Sequence, residues 1–393
     1  EEGQKTTGLN TVLIYPLVLD QKLWLLWVAA GGVVKSQPVN VEQGQLAKVV
    51  LDFRQLMKEC ETRSCGTDDI TKLQAVSQKL YNWLIHPIEG ELKKNNVKNL
   101  IFSLDRVVRY IPIAALHDGK QYLIENYTIS TILSAALTSN RARAPFTPEN
   151  TQVLAMGVSD AIANFNPLPN VPLELAAIVG NSKVNLKGIY PGQEFLNRAF
   201  NENILRQKLN IRQHRIVHIA THGKFVPGNH LASFLLLGDS NKLTVDEIRA
   251  LPLMSSVDLV VLSACESALG GAEFVKPDST TLDGIEISSM SFHFLTRQAR
   301  AVLASLWLVN DASTTLLMQQ FYKNLATGKI TKADALRQAQ LELLQGRVTA
   351  KDAPRRSDIA VAVESGTQAS QERSPNFAHP YYWAPFILIG NSL

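Results

Sequence analysis

Short apolar runs at residues 12–19, 23–28 and 33–38 follow one another closely and predict a β-hairpin pattern at the start of the chain. Over 41–59 and 68–84, apolar residues recur at three- and four-residue spacing, the period of amphipathic helices. Pro87 sits just past the second of these, and a further helix is predicted at 88–95. Residues 99–104 read as a buried strand and 122–131 as another strand-like stretch. The segment 140–150, with Pro145 and Pro148, reads as a boundary. The first block is therefore residues 1–146.

The second block, residues 147–393, alternates strand and helix patterns. Strands are predicted at 152–158, 216–222, 257–265, 301–306 and 386–389, with a short apolar stretch at 234–237. Helices are predicted at 173–179, 194–208, 287–297, 313–326 and 332–346. Thr244 and Glu247 stand at capping-box spacing and open a short helix. Strands alternating with helices imply parallel pairing, hence an α/β sandwich with a mostly parallel sheet. Residues 347–378 are rich in Ser, Arg, Glu, Gln and Asp and predict a flexible surface insertion. No repeat of solenoid period is present.

Two of the apolar runs stop at reactive side chains. Ile216-Val-His-Ile-Ala-Thr-His-Gly223 delivers His222 followed by Gly223, and Val257-Asp-Leu-Val-Val-Leu-Ser-Ala-Cys-Glu266 delivers Cys265. Open α/β sheets carry their chemistry outside the carboxyl ends of parallel strands, so both residues are predicted on one rim. A thiol with a histidine partner is the layout of a cysteine nucleophile. Gly223 has no side chain, so its backbone N–H, with that of Cys265, can approach a substrate carbonyl as an oxyanion hole. The plainer alternative is that Cys265 is a small core residue and His222 a satisfied structural one. On pattern alone the two readings stand level.

Composition narrows the class. Apolar residues at 46% and charged residues at 19% describe an ordinary globular protein. A net charge of +4, with no Lys/Arg run, argues against nucleic-acid binding. The apolar run at 22–30 ends in Gly31-Gly32 and is too short to span a bilayer, so no membrane segment is expected. The three cysteines, Cys60, Cys65 and Cys265, are few and odd in number, which argues against a disulfide framework and for a cytoplasmic setting. Cys60 and Cys65 fall in a polar loop, and no second Cys/His pair at zinc spacing completes a site. They read as structural thiols, and neither a metal nor a cofactor is predicted. The chain begins with Glu1 rather than Met, so a preceding segment is expected.

Four stretches look like the signature blocks of the CHAT family: His218-Ile-Ala-Thr-His-Gly223, Leu259-Val-Val-Leu-Ser-Ala-Cys-Glu266, Ala301-Val-Leu-Ala-Ser-Leu-Trp-Leu-Val-Asn-Asp311 and His379-Pro-Tyr-Tyr-Trp-Ala-Pro-Phe386. The first block matches through Arg109-Tyr-Ile-Pro-Ile-Ala-Ala-Leu-His-Asp-Gly119 and Tyr122-Leu-Ile-Glu125. This family comprises caspase-like peptidases associated with tetratricopeptide repeats, relatives of separase and caspases. The chain most resembles the cyanobacterial HetF type, tied to heterocyst differentiation. The resemblance implies a caspase-like α/β fold, a His222–Cys265 dyad, and a first block that is a catalytically dead caspase-like half. It implies a cysteine endopeptidase cutting a specific protein partner in signalling or development, regulated by a repeat region before this chain.

The sequence departs from the family after the cysteine, where the loop through Gly284 is long, which leaves the shape of the cleft open. Relatives that cut after Arg or Lys carry acidic groups in the first pocket. The candidates here are Asp160, Asp311, Asp283 and Glu286, whose carboxylates would pair with a basic side chain. Asp311 has an alternative role as N-cap of the following helix. Trp307 and Trp383 read as core or cleft-wall residues. The rival functions are a silent scaffold built on the same fold and an acyl-transfer hydrolase using the same dyad.

Overall fold

A computed structural model describes residues 10–28, 32–63, 65–138, 143–181, 187–224, 232–265, 285–307, 309–349 and 377–393, with the side chains of 62, 264, 265 and 285–289 excepted. The long loop after Cys265 and most of the predicted insertion at 347–378 thus lie outside the described residues.

The chain opens with an antiparallel meander of β1 (Asn10–Val18), β2 (Leu23–Val28) and β3 (Val34–Val39). Pro38 is accommodated because β3 is an edge strand, where a missing N–H breaks no ladder. The helices Gln43–Thr62, Thr67–Leu84 and His86–Lys94 follow, and β4 (Val97–Phe102) then pairs parallel to β1. The stretch 122–131, read as strand-like throughout, divides into a short helix at Leu123–Asn126 and β5 (Thr128–Thr131). The Glu125 carboxylate takes the Tyr122 amide at 2.6 Å, closing a helical turn that an apolar pattern of four residues cannot announce.

In the second block β6 (Val153–Gly157) leads to the helix Val171–Val179. The expected helix at 194–208 is corrected. Gly192–Leu196 is strand β7, parallel to β6, and the helix is Glu202–Ile211. Asn201 sets the boundary, since its side chain accepts the Ile204 amide as an N-cap. Then come β8 (Ile216–Lys224), the hairpin β9 (Phe234–Leu236) and β10 (Lys242–Thr244), the helix Val245–Arg249 behind its Thr244–Glu247 capping box, and β11 (Leu259–Cys265). The helix Ile285–Thr296, β12 (Ala301–Ser305), the helices Asp311–Leu325 and Lys332–Leu344, a short helix at Pro380–Trp383 and β13 (Phe386–Gly390) complete it.

All these strands belong to one sheet. Its path runs β10-β9-β8-β11-β12-β13-β5-β4-β1-β2-β3, with β6 beside the first part of β8 on the edge that its last residues give to β9, and β7 beyond β6. Strands β6, β8, β11 and β12 are parallel, and so are β13, β5, β4 and β1; the two sets meet at the antiparallel β12–β13 pair. The last strand of the chain therefore joins the halves. One layer of the core, from Val12 and Leu46 through Leu259 and Tyr322 to Leu388, runs under both halves; a second, around Met156, Leu205, Leu262 and Phe294, covers the opposite face of the second half.

The low, odd cysteine count argued against a disulfide, yet Cys60 and Cys65 are joined. The turn between the Gln43–Thr62 and Thr67–Leu84 helices brings their Cα atoms to 5.3 Å, within disulfide range. Among the described residues, no helix is long and apolar enough to cross a membrane.

Candidate active site

The site is assembled where β8 outruns its neighbour. Along β6, pairing proceeds from Val153↔Ile216 to Gly157↔Ala220 and stops; β8 continues, turning its last residues to β9 through Gly223↔Leu235. His222 thus lies just beyond the end of β6. It is not the last residue of its strand, as the sequence suggests, but sits at the rim of the parallel set. On its other side β8 pairs with β11 from Leu259↔Ile216 to Cys265↔His222. The two predicted reactive residues are therefore direct partners on adjacent parallel strands, whose backbones run about 4.8 Å apart. The Cys265 thiol lies outside the described side chains.

Apolar burial makes this register firm. Val217, Ile219, Leu259, Val260, Val261 and Leu262 are all buried, and a slip of one residue would send every side chain to the opposite face. Thr221 fastens the rim, its buried hydroxyl donating to the Leu236 carbonyl at 2.7 Å.

His222 is buried, with Phe165 packed on its ring at 5.0 Å and Phe234 against Phe165. Its Nε2 lies 2.7 Å from the carbonyl oxygen of Asn166. A carbonyl only accepts, so Nε2 carries the proton, and in the neutral ring Nδ1 is the basic nitrogen. Burial holds the His222 pKa below its ordinary value, partly offset by the Asn166 bond, so the neutral form prevails at pH 7. The orienting group is a main-chain atom that sequence reading missed. Its one trace is Pro167, which biases Asn166 toward extended backbone.

The loop between β6 and the Val171–Val179 helix carries Phe165 and Asn166, and it is pinned at both ends. At one end, the Asn197 side-chain oxygen accepts the amides of Ser159 and Asp160 at 2.7 and 3.3 Å. At the other, Asp311 Oδ2 accepts the Asn170 amide at 2.9 Å. Asp311 does not cap its own helix; Asn310 does, accepting the Ser313 amide at 3.0 Å. Burial raises the Asp311 carboxyl to about 6, with the Asn170 bond opposing and Glu174 adding to the rise. Deeper on β8, His218 stands 2.9 Å from Glu174 and 3.0 Å from the Tyr322 hydroxyl, all three buried. This polar group ties β8 to the two helices that flank the loop.

The other acidic candidates separate. Asp160 is exposed on the rim just past β6. Glu286 belongs to the Ile285–Thr296 helix, its side chain undescribed, and Asp283 lies outside the described residues. Gly223 is half-buried beside His222. Trp307 is buried and donates to the Tyr381 carbonyl, and Trp383 donates to the Ala378 carbonyl, each at 3.1 Å, so both act in packing.

A family model for the CHAT domain matches residues 74–391. No curated protein sequence matches the chain. Two structures of the Saccharomyces cerevisiae separase–securin complex resemble it, with TM-scores of 0.57 and 0.56 at 11% and 10% identity; each match covers 99% of this chain. The chain spans only 30% and 31% of the matched chains' length. The Arg-specific cysteine proteinase gingipain R matches with a TM-score of 0.45 at 10% identity, over 83% of this chain and 68% of its own. The fold is α/β, mostly parallel and caspase-like.

Proposed function

The chain belongs to the CHAT-domain family, and from that premise we propose that it is a caspase-like cysteine endopeptidase that cuts a protein partner through Cys265 and His222. One observation carries the reading: His222 is held with Nδ1 as its basic nitrogen, at the position next in register to Cys265. In this scheme His222 Nδ1 takes the proton of the Cys265 thiol, the sulfur attacks the scissile carbonyl, and the backbone N–H groups of Gly223 and Cys265 receive the developing oxyanion. His222 passes a proton to the departing amine, leaving an acyl-thioester. It then takes a proton from the water that hydrolyses that ester. The Asn166 carbonyl plays the orienting part that a carboxylate plays in a serine triad.

Asp160 is the residue we assign to recognition of a basic side chain before the cut, since it stands exposed beyond β6 while Asp311 is engaged with Asn170. A repeat region preceding this chain would present the partner and control the site, in a signalling or developmental setting.

The test is cleavage of candidate partners and a peptide library by the wild type, Cys265→Ala and His222→Ala. Wild-type products that both variants lose, by about 10³-fold or more, are expected. Identical patterns from all three would leave a silent interaction module as the better reading.

A further inference from the structure

Outside the His222 site, the fold gathers three soft ligands from distant parts of the chain. Cys60 lies in the last turn of the Gln43–Thr62 helix, Cys65 precedes the next, and His379 opens the short helix at Pro380–Trp383. Their ligand atoms lie within 4.8 Å of one another, and all three residues are buried. The sequence conceals this set because 319 positions separate Cys60 from His379.

We propose that, when the Cys60–Cys65 bond is reduced, Cys60, Cys65 and His379 form a binding site for a divalent cation of the zinc class, which oxidation closes. The ligand chemistry selects such an ion: two thiolates and an imidazole suit zinc and disfavour magnesium or calcium. Charge fits as well, because two thiolates neutralise the dication in a place that excludes water. Cys60 Sγ stands 3.6 Å from His379 Nδ1. Tetrahedral zinc with its usual bond lengths sets sulfur and nitrogen about 3.5 Å apart. The sulfurs must separate, and their α-carbons at 5.3 Å leave the side chains room to do so.

The chemistry balances in two steps. A dithiol reductant delivers two electrons and two protons, the Cys60–Cys65 bond breaks, and the reductant leaves as its own disulfide. The cation then displaces both thiol protons and forms two metal–sulfur bonds. In the oxidised state Nδ1 accepts the Tyr381 amide at 3.1 Å. Capture of the metal at Nδ1 exchanges that bond and frees the first turn of the Pro380–Trp383 helix. The Tyr381 carbonyl of this turn receives the Trp307 indole N–H, so a site in the first half reports on the bend that follows β12.

The test uses cobalt(II), which shows thiolate ligation by a near-ultraviolet charge-transfer band. Full chain carrying Cys265→Ser, which removes the remaining thiol, is reduced with dithiothreitol, desalted without oxygen and titrated. Expected are one equivalent bound with that band, its loss in Cys60→Ser and Cys65→Ser, and weaker binding in His379→Asn, which keeps an acceptor for the Tyr381 amide. The oxidised chain should bind none. Far-ultraviolet circular dichroism confirms that each variant is folded. No band in the reduced chain, an equal band after Cys60→Ser, or unchanged affinity in folded His379→Asn would each overturn the proposal. The outcome does not depend on peptidase activity.

Discussion

The two halves of the sheet are built alike and covered differently. In β1 and β2 burial alternates strictly: Val12, Ile14, Val18, Leu23, Leu25 and Trp27 face the core, while Tyr15, Trp24 and Leu26 are half-buried and Leu17 is exposed. In β6, β8 and β12 nearly every residue is buried, because helices pack on both faces. The strand ends differ accordingly. β4 and β5 end at Phe102 and Thr131 and run on into Leu104 and Ile132, all buried. At the rim of the parallel set β8 and β11 carry His222 and Cys265. A closed sheet edge needs only apolar filling. An edge that holds a buried imidazole needs an acceptor for its N–H, and the pinned loop carrying Asn166 supplies one.

The largest expected effect tests whether the first half is scaffold alone. Phe102 is fully buried at the end of β4, and Phe102→Ala should cost about 3–5 kcal/mol of stability. Urea unfolding reads the loss, while kcat/KM per folded molecule should stay at the wild-type value. A fall in activity beyond the folded fraction would mean that the first half takes part in the chemistry.

Legibility follows the same division. The buried parallel strands announce themselves as unbroken apolar runs, so β8, β11 and β12 are placed from sequence to within a residue or two. β7 escapes because it is an edge strand of partly exposed residues, and Gly192-Gln-Glu reads as polar surface. The one-sided covering of β1 and β2 escapes too, since Tyr15, Leu17, Trp24 and Leu26 are as apolar as their buried neighbours. At the site, His222 and Cys265 are legible as residue types at the ends of apolar runs. The Asn166 carbonyl is not, because every residue has one and only the loop's path selects it. The partnership of His379 with Cys60 is invisible for a similar reason: only tertiary structure brings them together.

A smaller effect concerns the cost of keeping ionisable groups at the second rim. The folded Asp311 carboxyl titrates at about 6, and that of an unfolded chain near 3.9. Between these values the folded protein keeps a proton that the unfolded chain has lost, so stability falls as pH rises through this window. Above pH 6 the penalty is complete. Asparagine carries no charge and still offers an acceptor to the Asn170 amide. Asp311→Asn should therefore gain about 1–3 kcal/mol at pH 7.5 and almost nothing at pH 4, by thermal or urea unfolding at both pH values. A gain of equal size at pH 4 would show that packing, not charge, separates the two rims.

The smallest effect separates the two acidic residues at the second rim. Asp160 is exposed and its backbone amide is already satisfied by Asn197, so Asp160→Asn should leave the unfolding midpoint within experimental error. If it meets a basic side chain of the substrate, kcat/KM on peptides with Arg or Lys before the cut should fall about tenfold, a modest loss because solvent screens an exposed pair. Peptides with an apolar residue there should be unaffected. Asp311→Asn should show the reverse profile, altered stability with unaltered preference, because its carboxylate faces Asn170 and not the cleft. A shift of preference on Asp311→Asn with none on Asp160→Asn would move the recognition site inward, to Asp311 itself.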